Sequence, residues 1–153
     1  MKTPGKMITF AVMSVMAAAG TLATAGSAVA ETPQVQTHAV HRSVAPPPEL
    51  IGPNGEKPTE WGMASISLDS STGSMAPTAT KEVGGGTWSY GTTGTTTKGC
   101  YSNYIHPSKK HSASIAIANA SDKDIRGKDV WAKAYGKAGA AHTCYTYWGV
   151  YDD

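Results

Sequence analysis

No stretch of this 153-residue chain stays apolar for the ~20 residues that a membrane-spanning helix needs. The longest strongly apolar run, Met7 to Ala19, has 13 residues and no charge. It follows Lys2 and Lys6 and leads, through a small and loosely polar stretch, to Ala28-Val29-Ala30. A short positive region, a brief apolar run and small residues at the cleavage positions form the pattern of a secretory signal peptide over residues 1–30, with cleavage after Ala30. An uncleaved anchor is the other reading, and the well-placed A-x-A site argues against it. The expected protein is secreted and extracellular, without stable membrane insertion.

The chain also lacks a strong excess of charge. It has 13 Lys and Arg against 11 Asp and Glu, and Lys2 and Lys6 leave with the leader. The remainder is formally neutral, which argues against nucleic acid as a partner. The neutrality hides an asymmetry. Residues 31–82 carry Arg42, Lys57 and Lys81 against six acids, whereas 83–153 carry eight basic residues against five acids. A basic half behind an acidic half points to an anionic partner for the C-terminal half.

Catalytic and cofactor motifs are missing as well. The Thr- and Gly-rich residues 91–99 do not have the Lys-Ser/Thr ending of a phosphate-binding loop. Asp122, Asp124 and Asp129 lack the spacing and terminal Glu of a calcium loop and read as a solvated turn. His106, His111 and His142 match no zinc spacing. No enzyme activity, cofactor or metal is expected.

What is present divides in two. Residues 31–82 hold Pro33, Pro46 to Pro48, Pro53, Pro58 and Pro77, with apolar residues in no regular period. Such a segment is expected to be disordered, a linker, stalk or pro-segment, with Glu60 to Leu68 its one candidate strand. Residues 83–153 hold ten of the twelve aromatics. Strands are expected over Gly86 to Gly91, Tyr101 to His106, His111 to Ala118, Val130 to Lys137 and Ala141 to Tyr151, with a loop over 91–99 and a polar, turn-rich stretch over Asn119 to Lys128. In His111 to Ala118, His111, Ala113, Ile115 and Ile117 share one face. In Val130 to Lys137, which also admits a short helix, Trp131, Lys133 and Tyr135 share another. The fold class is all-β, a small antiparallel sandwich or barrel.

A domain of about 70 residues is marginal on hydrophobic burial alone. Cys100 and Cys144, the only cysteines, lie at the starts of two expected strands in an exported chain, and read as a disulfide. The other reading, a nucleophilic cysteine with His142 as base, has no further catalytic residue to support it.

One cluster remains as a binding surface. Tyr101, Tyr104, His106, Lys109, Lys110 and His111 fall within eleven residues. Aromatic faces stack on sugar rings, and cations pair with phosphate. Trp131 joins this candidate set, and Arg126, Lys128, Lys133 and Lys137 add charge nearby in sequence. The alternative is that these aromatics are the core of a leucine-poor domain and the lysines keep it soluble.

Several motifs are familiar in this order. They are Gly86-Thr87-Trp88, Tyr101-Ser102-Asn103-Tyr104, His106 with Ser108 to Ala113, and Gly127-Lys128-Asp129 leading into Val130 to Ala134. Together with the aromatic stretch Tyr145 to Tyr151 they resemble the lactococcin 972 family of bacteriocins over about residues 84–151. The resemblance implies a small exported antibacterial protein of a Gram-positive bacterium, a β-sandwich fold and a possible homodimer. It implies binding to the cell-wall precursor lipid II, with septum formation blocked and the membrane left intact. The cysteine pair and the Pro-rich stretch are not part of the family pattern. A wall-associated module with 31–82 as a stalk is the alternative function.

Overall fold

The computed structural model describes residues 40–67, 78–94 and 96–152, with the backbone of 35–37. The leader and the cut after Ala30 lie outside the described residues. Among the described residues nine strands form two antiparallel sheets: β1 (Val35–Thr37), β2 (Glu60–Ile66), β3 (Thr78–Val83), β4 (Gly86–Thr93), β5 (Thr97–Ile105), β6 (His111–Ile117), β7 (Ala120–Arg126), β8 (Ala132–Gly139) and β9 (Cys144–Val150). The first sheet runs β1-β2-β9-β6-β7 and the second β3-β4-β5-β8. The all-β sandwich expected from the sequence is the fold observed.

Alternation builds the core. His111, Ala113, Ile115 and Ile117 of β6 face inward and are closed to solvent, as their shared face predicts. Opposite them, β4 and β5 send in Trp88, Tyr90, Cys100 and Tyr104, and β8 sends in Ala132 and Ala134. Trp148 of β9 meets Tyr104 at 5.3 Å and Trp88 at 6.5 Å between ring centroids, so rings from both sheets, with the small and branched side chains of β6, fill a core with few leucines. Trp88 stacks on Tyr90 at 3.9 Å, and its indole N–H donates to the Ser102 hydroxyl at 2.9 Å. The Cys100–Cys144 disulfide joins β5 to β9 and so ties the two sheets together. Gly84 and Gly85, both at positive φ, make the two-residue turn between β3 and β4, where other residues would be strained.

Three expectations need correction. Residues 31–82 are not simply a linker or stalk. Glu60–Ile66 is β2, an interior strand paired along its length with β9, and Ala64 and Ile66 are core residues. Residues 78–83 form β3. The Pro-rich stretch before β2 is a strap across the outer face of the first sheet. Leu50 sits in a second apolar cluster with Trp61 and Tyr147. Proline supplies carbonyls but no N–H, and here side chains of the sheet satisfy those carbonyls or their neighbours'. The Ser114 hydroxyl donates to Glu49 O at 2.8 Å, the Tyr151 hydroxyl to Leu50 O at 2.7 Å, and Lys123 to Ile51 O.

The second correction concerns Asn119 to Lys128, expected as turns and found largely as β7. Its polarity comes from its place at the sheet edge. Asp122 accepts the Tyr135 N–H at 2.9 Å and Asp124 the Lys133 N–H at 3.0 Å. These carboxylates bond N–H groups along β8, an edge strand of the other sheet, and leave it a poor template for pairing with another chain. The loop expected over 91–99 is also shorter, since β4 reaches Thr93 and β5 starts at Thr97.

Buried tyrosines make the fold sensitive to alkali. Burial first, and then the Glu60 carboxylate, pushes the Tyr104 phenol above the ordinary tyrosine range. Burial first, with Glu49 and Tyr145 adding, pushes Tyr147 up to about 12, and burial also raises Tyr151. An unfolded tyrosine ionises near ~10. The folded state disfavours the phenolate, so this stabilisation is complete below about pH 10 and is lost as pH rises through the folded values. Thermal melts followed by circular dichroism should show a falling Tm between about pH 9.5 and about pH 11.5. An unchanged Tm across that interval would contradict the burial of these rings.

Candidate binding face and basic cleft

The residues that the sequence placed in one binding cluster are separated by the structure. Tyr104 is fully enclosed, and its hydroxyl donates to Val83 O at 2.9 Å. His106 is 5 % exposed. Its Nδ1 accepts from the backbone N–H groups of Ser108 and Lys109 at 3.1 and 3.0 Å, and Nε2 faces Gly84 O at 3.1 Å. An acceptor at Nδ1 and a donor at Nε2 define the neutral ring. His111 is also enclosed, and both its nitrogens face carbonyl oxygens, Lys109 O at 2.9 Å and Val130 O at 2.7 Å. Carbonyls have no proton to give, so both contacts are hydrogen bonds only when the ring carries a proton on each nitrogen. These three side chains shape the loops around them and offer no face to a ligand. His106 and His111 lie 6.4 Å apart between ring centroids, whereas His142 sits before β9, at the far end of that strand from His111. Among the described residues no group of three metal-ligating side chains gathers.

The other three candidates stay accessible. Lys109 is exposed and pairs with Asp152 at 2.9 Å, which lowers the Asp152 pKa by hydrogen bonding first. Tyr101 is half-buried on the outer face of the second sheet. Trp131, just before β8, is 39 % exposed. Alternation along β8 puts Lys133, Tyr135 and Lys137 on that same outer face. Tyr101 stands opposite Tyr135, and Asn103 opposite Lys133. The Lys137 ammonium lies 5.7 Å from the Tyr135 ring centroid, within cation–π range. Gly99 makes room for the Tyr135 ring, since a Cβ there would stand 2.6 Å from its hydroxyl. The strand pattern gives this face no carboxylate from β4, β5 or β8. At its edge the Thr87 hydroxyl bonds the Glu82 carboxylate at 2.8 Å. The outcome is an open surface with three aromatic rings and two lysines.

Around the end of the sandwich from Trp131, the loops 106–110 and 126–130 border a cleft of about 390 Å³ lined by Ser108, Lys110, Ile125, Arg126, Gly127 and Lys128. The loops are held together by the Asp129 N–H bond to His106 O at 2.9 Å and by the two His111 bonds.

Residues 84–148 match the family model described as Bacteriocin (Lactococcin_972). The match supports the resemblance read from the motifs. It also supports a bacteriocin role, and that family suggests a secreted protein without catalysis. No helix among the described residues is long and apolar enough to cross a membrane. The match takes in β4 to β8 and most of β9 and leaves out β2 and β3. No curated protein and no solved structure matches this chain.

The sequence named Tyr101, Lys109 and Trp131 as binding residues but passed over Tyr135. The signal for Tyr135 was present, because the alternation over Val130 to Lys137 had already placed it with Trp131 and Lys133. It was outweighed by the density of aromatic and basic residues between Tyr101 and His111, half of which turn inward.

Proposed function

We propose that this bacteriocin acts outside the cell without catalysis, by binding lipid II of Gram-positive neighbours and blocking septum formation. The observation that carries the reading is the outer face of the second sheet, where Tyr101, Trp131 and Tyr135 stand beside Lys133 and Lys137. Exposed rings stack on the hydrophobic faces of sugars. Ammonium groups pair with phosphate and with the carboxylates of a wall peptide. Lipid II presents all three chemistries at a membrane surface, so an extended face suits it better than a deep pocket.

The test uses protein recovered after expression with its own leader and vesicles with and without lipid II. Trp131→Ala and Tyr135→Ala should each weaken binding to lipid II vesicles at least about tenfold and raise the inhibitory concentration against a sensitive strain in parallel. Their Tm should stay near that of the parent, because both side chains are exposed. Equal binding to vesicles lacking lipid II would end this reading.

A further inference from the structure

We infer that the cleft between loops 106–110 and 126–130 is a diphosphate-binding site, with Lys110, Arg126 and Lys128 as its cations. The inference rests on the lipid II reading for its biological ligand, and on the cleft alone for its chemistry.

Four observations carry it. First, the lining includes three cationic side chains and no carboxylate. Second, donors in it remain open. Asp124 takes Arg126 at Nε, which leaves the two Nη groups unclaimed by that carboxylate. Lys110 gives one contact to Glu56 at 2.6 Å, and an ammonium has three donors. Lys128 has no partner among the described residues. Third, the walls are set before any ligand arrives. The His111 ring bonds a carbonyl of each loop, and the Asp129 N–H closes onto His106 O. A site whose walls are already ordered loses little entropy on binding. Fourth, the space fits. The cleft falls within the range of small-ligand sites, and a Cβ added at Gly127 would meet nothing within 4 Å.

A planar guanidinium and two ammonium groups suit an anion with oxygens spread over two phosphorus atoms. A single carboxylate would use one of the three cations. Trp131 lies between the second loop and β8, so a ligand anchored by its diphosphate in the cleft can lay sugar rings along the outer face of the sheet.

The experiment titrates the same full-length preparation with inorganic pyrophosphate at about 0.15 M ionic strength, where diffuse attraction is largely screened. Resonances of the two loops are followed by NMR. Saturable shifts confined to these loops are expected, with at least a tenfold loss of affinity in Lys128→Gln and no loss in Lys81→Gln, on β3 at the other edge of the second sheet. Absent binding, or equal loss in both variants, would overturn the site. The vesicle assay separates the two readings. Pyrophosphate binding that needs Lys128, without recruitment to lipid II, keeps the site and removes its proposed ligand. Recruitment to lipid II that is indifferent to Lys128→Gln and to added pyrophosphate keeps the lipid II reading and removes the site from it.

Discussion

A chain that begins at Gly84 should not fold, whereas one that begins near Val40 should. The family match starts at Gly84, and from the sequence a cut there is a plausible maturation site. The strand order forbids it. β2 lies between β1 and β9, and all seven of its residues pair with β9. Removing it bares one whole edge of β9 and takes Ala64 and Ile66 out of the core and Trp61 out of the second cluster. Removing β3 in the same cut strips the partner from β4. Each large apolar side chain withdrawn from burial costs roughly 1.5–3 kcal/mol. A domain stabilised by about 5–15 kcal/mol overall does not survive the loss of two strands. Purified 84–153 should show no cooperative thermal transition, and 40–153 a single one. A cooperative melt of 84–153 close to that of the longer chain would refute this. The working protein should accordingly retain everything from about His41 onward.

Replacing His111 by leucine should lower stability by about 3 kcal/mol or more. The ring is enclosed and bonds two carbonyls, Lys109 O and Val130 O. An apolar replacement leaves both part-buried acceptors without that partner, at ~1–3 kcal/mol each. For a domain of this size the Tm should fall by roughly 10 °C or more. His111→Gln, which reaches one carbonyl at a time, should fall between the two. The sequence offered His111 as a ligand-binding residue, and the two roles separate cleanly. A contact residue on a surface would lower affinity and leave Tm unchanged. A structural one lowers Tm first and affects binding only through the loops that its loss loosens. An unchanged melting temperature in His111→Leu would return the residue to the binding surface.

These two cases mark where the sequence was legible. β6 could be read residue by residue, because strict alternation of apolar and small polar side chains has one physical meaning in a strand. The cysteine pair was equally plain, since export leaves few other uses for two cysteines. β7 was not legible, because an edge strand whose carboxylates face a neighbouring backbone has no apolar period to display. The strap was not legible either. Its one buried large residue, Leu50, stands alone among prolines, and its bonds are made by Ser114, Lys123 and Tyr151, more than sixty positions away.

By itself the sequence determined the all-β class, the pairing of Cys100 with Cys144 and the resemblance to the family. Each depends on local pattern, on composition or on motifs read in order. Only the tertiary structure decided that residues before Gly84 supply strands to the domain, and which rings face out. Tyr101 and Tyr104 stand three apart on one strand, so they must point to opposite faces, and nothing local says which face is covered. The packing of the second sheet against β6 and β9 buries Tyr104 and leaves Tyr101 and Tyr135 side by side on the outside.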